Sequence, residues 1–132
     1  MTIDVELETG AGAAAAARRA LEPLSGDLTE SQLRDVRLLT SELVTNAVRH
    51  AGLQPGDPIR LTARVGRDAL RVEVRDAGQG FERRPPSPDP ERASGWGLFL
   101  VQEVADRWGV EGGAPGSRIW FELDRDGRAS AG

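Results

Sequence analysis

The chain has no cysteine, no tyrosine and no lysine: all 17 of its Lys and Arg residues are arginine, and His50 is its one histidine. Each absence removes a chemistry. Without cysteine there is no disulfide frame, thiolate nucleophile or zinc–thiolate site, and without lysine there is no Walker-type phosphate loop and no Schiff base. A single histidine excludes a His-rich metal cluster. No apolar run reaches the ~18 residues of a membrane helix, and the N-terminus lacks a charged region followed by an apolar core, so the expected compartment is the cytoplasm. The formal net charge of −4 argues against a protein that coats nucleic acid, although a local arginine patch stays open. Neither nucleic acid nor membrane is an expected partner. The 132 residues suit one domain, expected over 1–125 with a flexible tail at 126–132.

Thr2-Ile3-Asp4-Val5-Glu6-Leu7-Glu8 alternates with period two, which predicts a strand with Ile3, Val5 and Leu7 inward. After Gly10 an alanine-rich stretch, with Ala17, Leu21 and Leu24 at helical spacing, predicts a helix over 13–24 that closes near Pro23. From Thr29 to Ala51 one apolar stripe joins Leu33, Val36, Leu39, Leu43, Ala47 and Val48. Thr29 fits the N-cap of this long helix, and Gly52 fits its stop. Two alternating segments, 59–65 and 70–75, joined by Gly66-Arg67-Asp68-Ala69, predict a hairpin. Glycines 78 and 80 and prolines 85, 86, 88 and 90 make 78–94 a loop long enough to serve as a lid. A helix over 97–107 and strands over 108–111 and 118–123 complete the order β-α-α-β-β-loop-α-β-β. That order predicts an α+β two-layer sandwich, a mixed and mostly antiparallel sheet with helices on one face.

Four clusters carry possible chemistry. Glu42, Asn46 and His50 stand at i, i+4 and i+8 of the long helix and share a face. They read either as a solvated polar face or as a hard-cation site, where a carboxamide oxygen shares Mg²⁺ with phosphates and a carboxylate polarises an attacking group. Asp76-Ala77-Gly78-Gln79-Gly80 follows a strand. It reads either as a turn or as a ligand site in which the carboxylate accepts from an amine while the glycines admit a flat ring. Ser94-Gly95-Trp96-Gly97-Leu98 opens a helix, either as a plain cap or as a phosphate site built on free N–H groups. Gly116-Ser117, before the last strand, is by itself a turn.

Together these clusters resemble the GHKL ATPases. Residues 42–50 look like the N-box, 76–80 like the first glycine box and 94–98 like the second, and the likeness runs from about residue 10 to residue 124. Within that superfamily the chain is most similar to small stand-alone regulators of the anti-sigma-factor serine/threonine kinase type. The resemblance implies a Bergerat-type ATP-binding fold that takes Mg-ATP under a lid. It implies Glu42 as general base, Asn46 as Mg²⁺ ligand, and Asp76 on the adenine amine. Gly78, Gly80, Ser94, Gly95, Gly97, Leu98 and Ser117 would complete the nucleotide site. It also implies a regulatory protein partner, an anti-sigma antagonist or a sigma factor or both, and allows a homodimer.

Two departures stand out. Gly116-Ser117 replaces the family's usual Gly-Thr and keeps a hydroxyl, and 81–93 is Pro-rich and short for an ATP lid. With no lysine, the γ-phosphate would rely on Mg²⁺, helix-start N–H groups and Arg83, Arg84 or Arg92. His50 reads as hydrogen-bonding or dipole support at a helix end, because a phosphoacceptor histidine belongs on a separate helical domain. Arg18, Arg19, Arg34 and Arg37 read as solvated helix faces, with partner binding as the other option. The function expected is phosphorylation or sequestration of a regulatory protein; the alternative is a non-enzymatic module that uses ATP to set its shape and holds its partner stoichiometrically.

Overall fold

The computed structural model describes residues 1–50, 57–76, 98–111 and 117–125, with nine elements among them. They are β1 (Thr2–Glu8), α1 (Ala13–Ala20), a 3-10 turn (Glu22–Gly26), α2 (Glu30–His50), β2 (Pro58–Val65), β3 (Ala69–Asp76), α3 (Phe99–Val104), β4 (Arg107–Glu111) and β5 (Ser117–Asp124). The strands form one sheet in the order β1-β2-β3-β5-β4. Every neighbouring pair is antiparallel, which narrows the expected mixed sheet to a purely antiparallel one.

Period-two alternation divides the sheet into two unlike faces. Ile3 and Leu7, then Ile59, Leu61 and Ala63, Leu70, Val72 and Val74, and Ile119, Phe121 and Leu123 all turn inward and are buried. Against them pack Ala13, Ala17 and Leu21 of the first helical segment, Leu24, the inner stripe of α2, and Leu98 and Val101 at α3. The outer face is charged: Arg60 meets Asp4, and Arg71, Arg107 and Arg118 form a lattice with Glu73, Glu111, Glu122 and Asp124. Arg71 also lies over the Trp120 ring, 4.1 Å from its centroid.

The helix expected over 13–24 divides in two. α1 stops at Ala20, and Pro23, early in the next turn, starts a 3-10 segment that carries Leu24 into the core. Gly10 supplies the bend from β1 into α1 with φ +148°, a region that side-chain-bearing residues avoid. α3 ends at Val104, earlier than the sequence pattern, because Ala105 is extended and Arg107 already pairs with Glu122. Arg125 closes the molecule by donating to the carbonyls of Gly66 and Asp27, both at 2.7 Å. One side chain thereby ties the end of β5 to the β2–β3 turn and to the approach to α2.

Candidate functional site

The site is built on α2. Thr29 is its N-cap: the Gln32 amide donates to Thr29 Oγ1 at 3.0 Å, and the Thr29 amide donates to Gln32 Oε1 at 2.9 Å. This reciprocal capping box fixes where the helix starts and hence the rotation of everything after it. With that rotation, Val36, Leu39, Leu43, Val44 and Ala47 point at the sheet and are buried.

Asn46 shares their burial. It stands three residues after Leu43, inside the apolar stripe, and is 1% exposed. Neither Oδ1 nor Nδ2 has a hydrogen-bond partner among the described residues. An unsatisfied buried amide of this kind costs about 1–3 kcal/mol, so a solvated polar face no longer describes it. Glu42, one turn earlier, is half-buried at the flank of the stripe. Thr40 is also fully buried with an unpartnered hydroxyl, a feature the apolar pattern passed over although its spacing from Val36 and Leu43 places it inward.

The sheet contributes Asp76. β3 directs Leu70, Val72 and Val74 inward, and the next inward position, where an aliphatic side chain would continue the core, is this carboxylate, 4% exposed. Its register partners are Ile59 on β2 and Ser117 at the start of β5. α2 packs on β3, β5 and α3. Leu98, fully buried, caps α3 beside it. Of the sequence-predicted site residues, the structure thus places Glu42, Asn46, Asp76, Ser117 and Leu98 on adjoining elements. His50 closes α2. Gly78, Gly80, Ser94, Gly95 and Gly97, the lid loop expected at 78–94 and Arg83, Arg84 and Arg92 lie outside the described residues.

The donor set fits a nucleotide with Mg²⁺. Among the described residues no group of three or more His, Cys, Asp or Glu could cage a metal ion alone. One unpartnered carboxamide oxygen suits Mg²⁺, which keeps waters and takes its remaining ligands from phosphates. On the outer sheet face hydrogen bonding holds three carboxylates below their ordinary range: Asp4 by hydrogen bonding from Arg60, Glu111 from Arg118, and Glu122 from Arg107 and then Arg71, each against an opposing effect of burial.

An antiparallel sheet with helices on its inner face and polar groups buried beneath its end is the α+β sandwich of the GHKL ATPases. The chain belongs to the histidine kinase-like ATPase family, whose domain matches residues 7–123. It is 32% identical over 93 residues to an anti-sigma F factor of Clostridium acetobutylicum, a match covering 64% of this chain and 64% of that protein. Its fold resembles the blue-light activated histidine kinase of Erythrobacter litoralis EL346, with a TM-score of 0.63 and 25% identity over 79% of this chain and 34% of the other. The histidine kinase domain of that protein gives a TM-score of 0.57 and 26% identity over 73% and 46%. Family membership implies ATP binding. No described helix is long and apolar enough to cross a membrane.

Proposed function

We propose that the chain binds Mg-ATP and acts as a serine/threonine kinase of the anti-sigma regulatory type, phosphorylating or sequestering a regulatory protein. The observation that carries this reading is Asn46: a carboxamide buried among aliphatic side chains with both polar atoms unpartnered, one helical turn from Glu42. Asn46 Oδ1 holds Mg²⁺, and Asp76 accepts from the exocyclic amine of adenine. Gly78, Gly80, Ser94, Gly95, Gly97, Leu98 and Ser117 complete the nucleotide site. ATP supplies the transferable phosphoryl group. Glu42 would take the proton from the partner's serine or threonine hydroxyl, whose oxygen would bond to the γ-phosphorus of ATP as the bond from that phosphorus to the bridging oxygen breaks and ADP leaves. The likeness to an anti-sigma F factor supports a regulatory protein, such as an antagonist of an anti-sigma factor, as the partner.

Binding and transfer separate in this assignment, and that separation is its test. Asn46→Ala should weaken Mg-ATP binding in isothermal titration by about tenfold or more, because a metal ligand is lost. Glu42→Gln should leave nucleotide binding within about twofold and stop phosphorylation of a partner retained in a Mg-ATP pull-down. A Glu42→Gln protein that still phosphorylates the partner removes Glu42 from its role. A wild type that retains a partner without phosphorylating it leaves the stoichiometric, ATP-dependent binding module instead.

A further inference from the structure

Away from this site, α1 and α2 enclose an open cleft of about 330 Å³ lined by Ala15, Arg18, Arg19, Glu22 and Arg37. Its side chains follow from helical spacing. Ala15, Arg18 and Arg19, and Glu22 recur at three- and four-residue steps along one face of the first helical segment, and Arg37 and Ser41 stand one turn apart on α2. Two cross-links hold the walls together. Arg37 pairs with Glu22, and Arg18 donates to Ser41 Oγ at 3.0 Å, while Ser41 donates onward to the Arg37 carbonyl at 2.9 Å.

The cleft is short of acceptors. Three guanidiniums face one carboxylate, a local excess of two positive charges in a chain whose net charge is −4. Arg37 Nε is covered and has no partner among the described residues. Arg19 has no hydrogen-bond or ion-pair partner among the described residues, and Arg18 uses its guanidinium only toward Ser41. We propose that this cleft binds the dianion of a phosphate or phosphomonoester. A tetrahedral oxyanion brings acceptor oxygens to a set of donors that has too few, and its double charge matches the excess. Ala15 is the one apolar residue among those lining it, and no aromatic side chain is there to stack on a base, so recognition rests on the anionic head. Asn46, Glu42 and Asp76 do not line it, which separates this site from the proposed nucleotide site. The phosphate can come free from solution or on a phosphorylated side chain.

The test uses the full chain without nucleotide, titrated calorimetrically with inorganic phosphate, with O-phosphoserine and with glutamate. Both phosphates should bind and glutamate should bind at least about tenfold more weakly. O-phosphoserine binding at least as tightly as inorganic phosphate shows that the cleft takes a phosphorylated side chain, and O-phosphoserine binding about tenfold or more weakly identifies the free ion as the source. Arg19→Glu should weaken phosphate binding by about tenfold or more, and Arg19→Gln should shift it in the same direction; an unchanged melting temperature shows that each variant is folded. Arg67→Glu, the same charge change on the exposed β2–β3 turn, should leave binding within about twofold, as should Asn46→Ala. Equal losses in Arg19→Glu and Arg67→Glu would reduce the effect to net charge and overturn the site. Loss in Asn46→Ala with retention in Arg19→Glu would place the phosphate at the nucleotide site and overturn it too. Glutamate binding as tightly as phosphate would do the same.

Discussion

Two buried polar residues, Asn46 and Asp76, occupy positions where the surrounding pattern calls for aliphatic side chains, and in the proposed site what each can donate or accept would set a preference. Asn46 can do both. An ionised Asp76 only accepts. Adenine presents an amine to such an acceptor, whereas guanine presents a carbonyl oxygen at the same edge, so acceptor meets acceptor where water is largely excluded. That mismatch costs about 2–3 kcal/mol, or roughly a hundredfold preference for ATP over GTP. Asp76→Asn should erode the preference, because an amide can turn either a donor or an acceptor toward the ring. Competition titrations of ATP against GTP on both proteins measure it. Equal affinity of the wild type for the two nucleotides would return Asp76 to the role of a residue that ends a strand.

Among the elements, α2 and the β4–β5 pair have the most exposed points of failure. Thr29→Ala removes one half of the capping box and should lower stability by about 1 kcal/mol in urea denaturation. Gly109 sits opposite Trp120, and a Cβ there would meet Trp120 Cζ2 and Nε1 at 2.9 Å. Gly109→Ala must therefore push the indole from its place under Arg71, and should cost about 1–3 kcal/mol by the same assay. The capped start of α2 and its inner stripe were legible in the sequence, because Thr29 and the apolar spacing are local signals. So were the alternating strands. The burial of Asn46 was not, since spacing alone puts it equally on a polar flank; it took the capped rotation of the helix and the sheet beneath to decide. The Gly109–Trp120 approach was invisible for a different reason: it depends on register between strands. Proline 23 did announce itself, yet the sequence could not say that the chain would continue inward as a 3-10 turn carrying Leu24.

Across the whole molecule the two faces of the sheet divide the work. The inner face holds the core and the proposed site, and the outer face holds a lattice in which Glu122 accepts from Arg107 at 2.6 Å and from Arg71 at 2.9 Å, while Arg118 reaches both Glu73 and Glu111. These contacts bind β3, β5 and β4 to one another, and isolated exposed ion pairs would add little, but shared partners of partly buried Glu73 and Glu122 add more. Hydrogen bonding holds Glu122, Glu111 and Asp4 below the ordinary carboxylate range. A depressed folded-state pKa stabilises fully above the unfolded value of about 4 and loses that contribution as the pH falls through the depressed value. The urea midpoint should therefore stay nearly level from about pH 7 to about pH 5 and drop as the pH is lowered toward about 3. Glu122→Gln should lose about 1 kcal/mol at neutral pH and show a shallower acid slope, since the group that titrates is gone. Because Glu122 faces away from α2, the same variant should bind ATP as the wild type does. An acid slope as steep as the wild type's would take Glu122 out of the linkage, and a loss of ATP affinity would show that the two faces are coupled through the sheet.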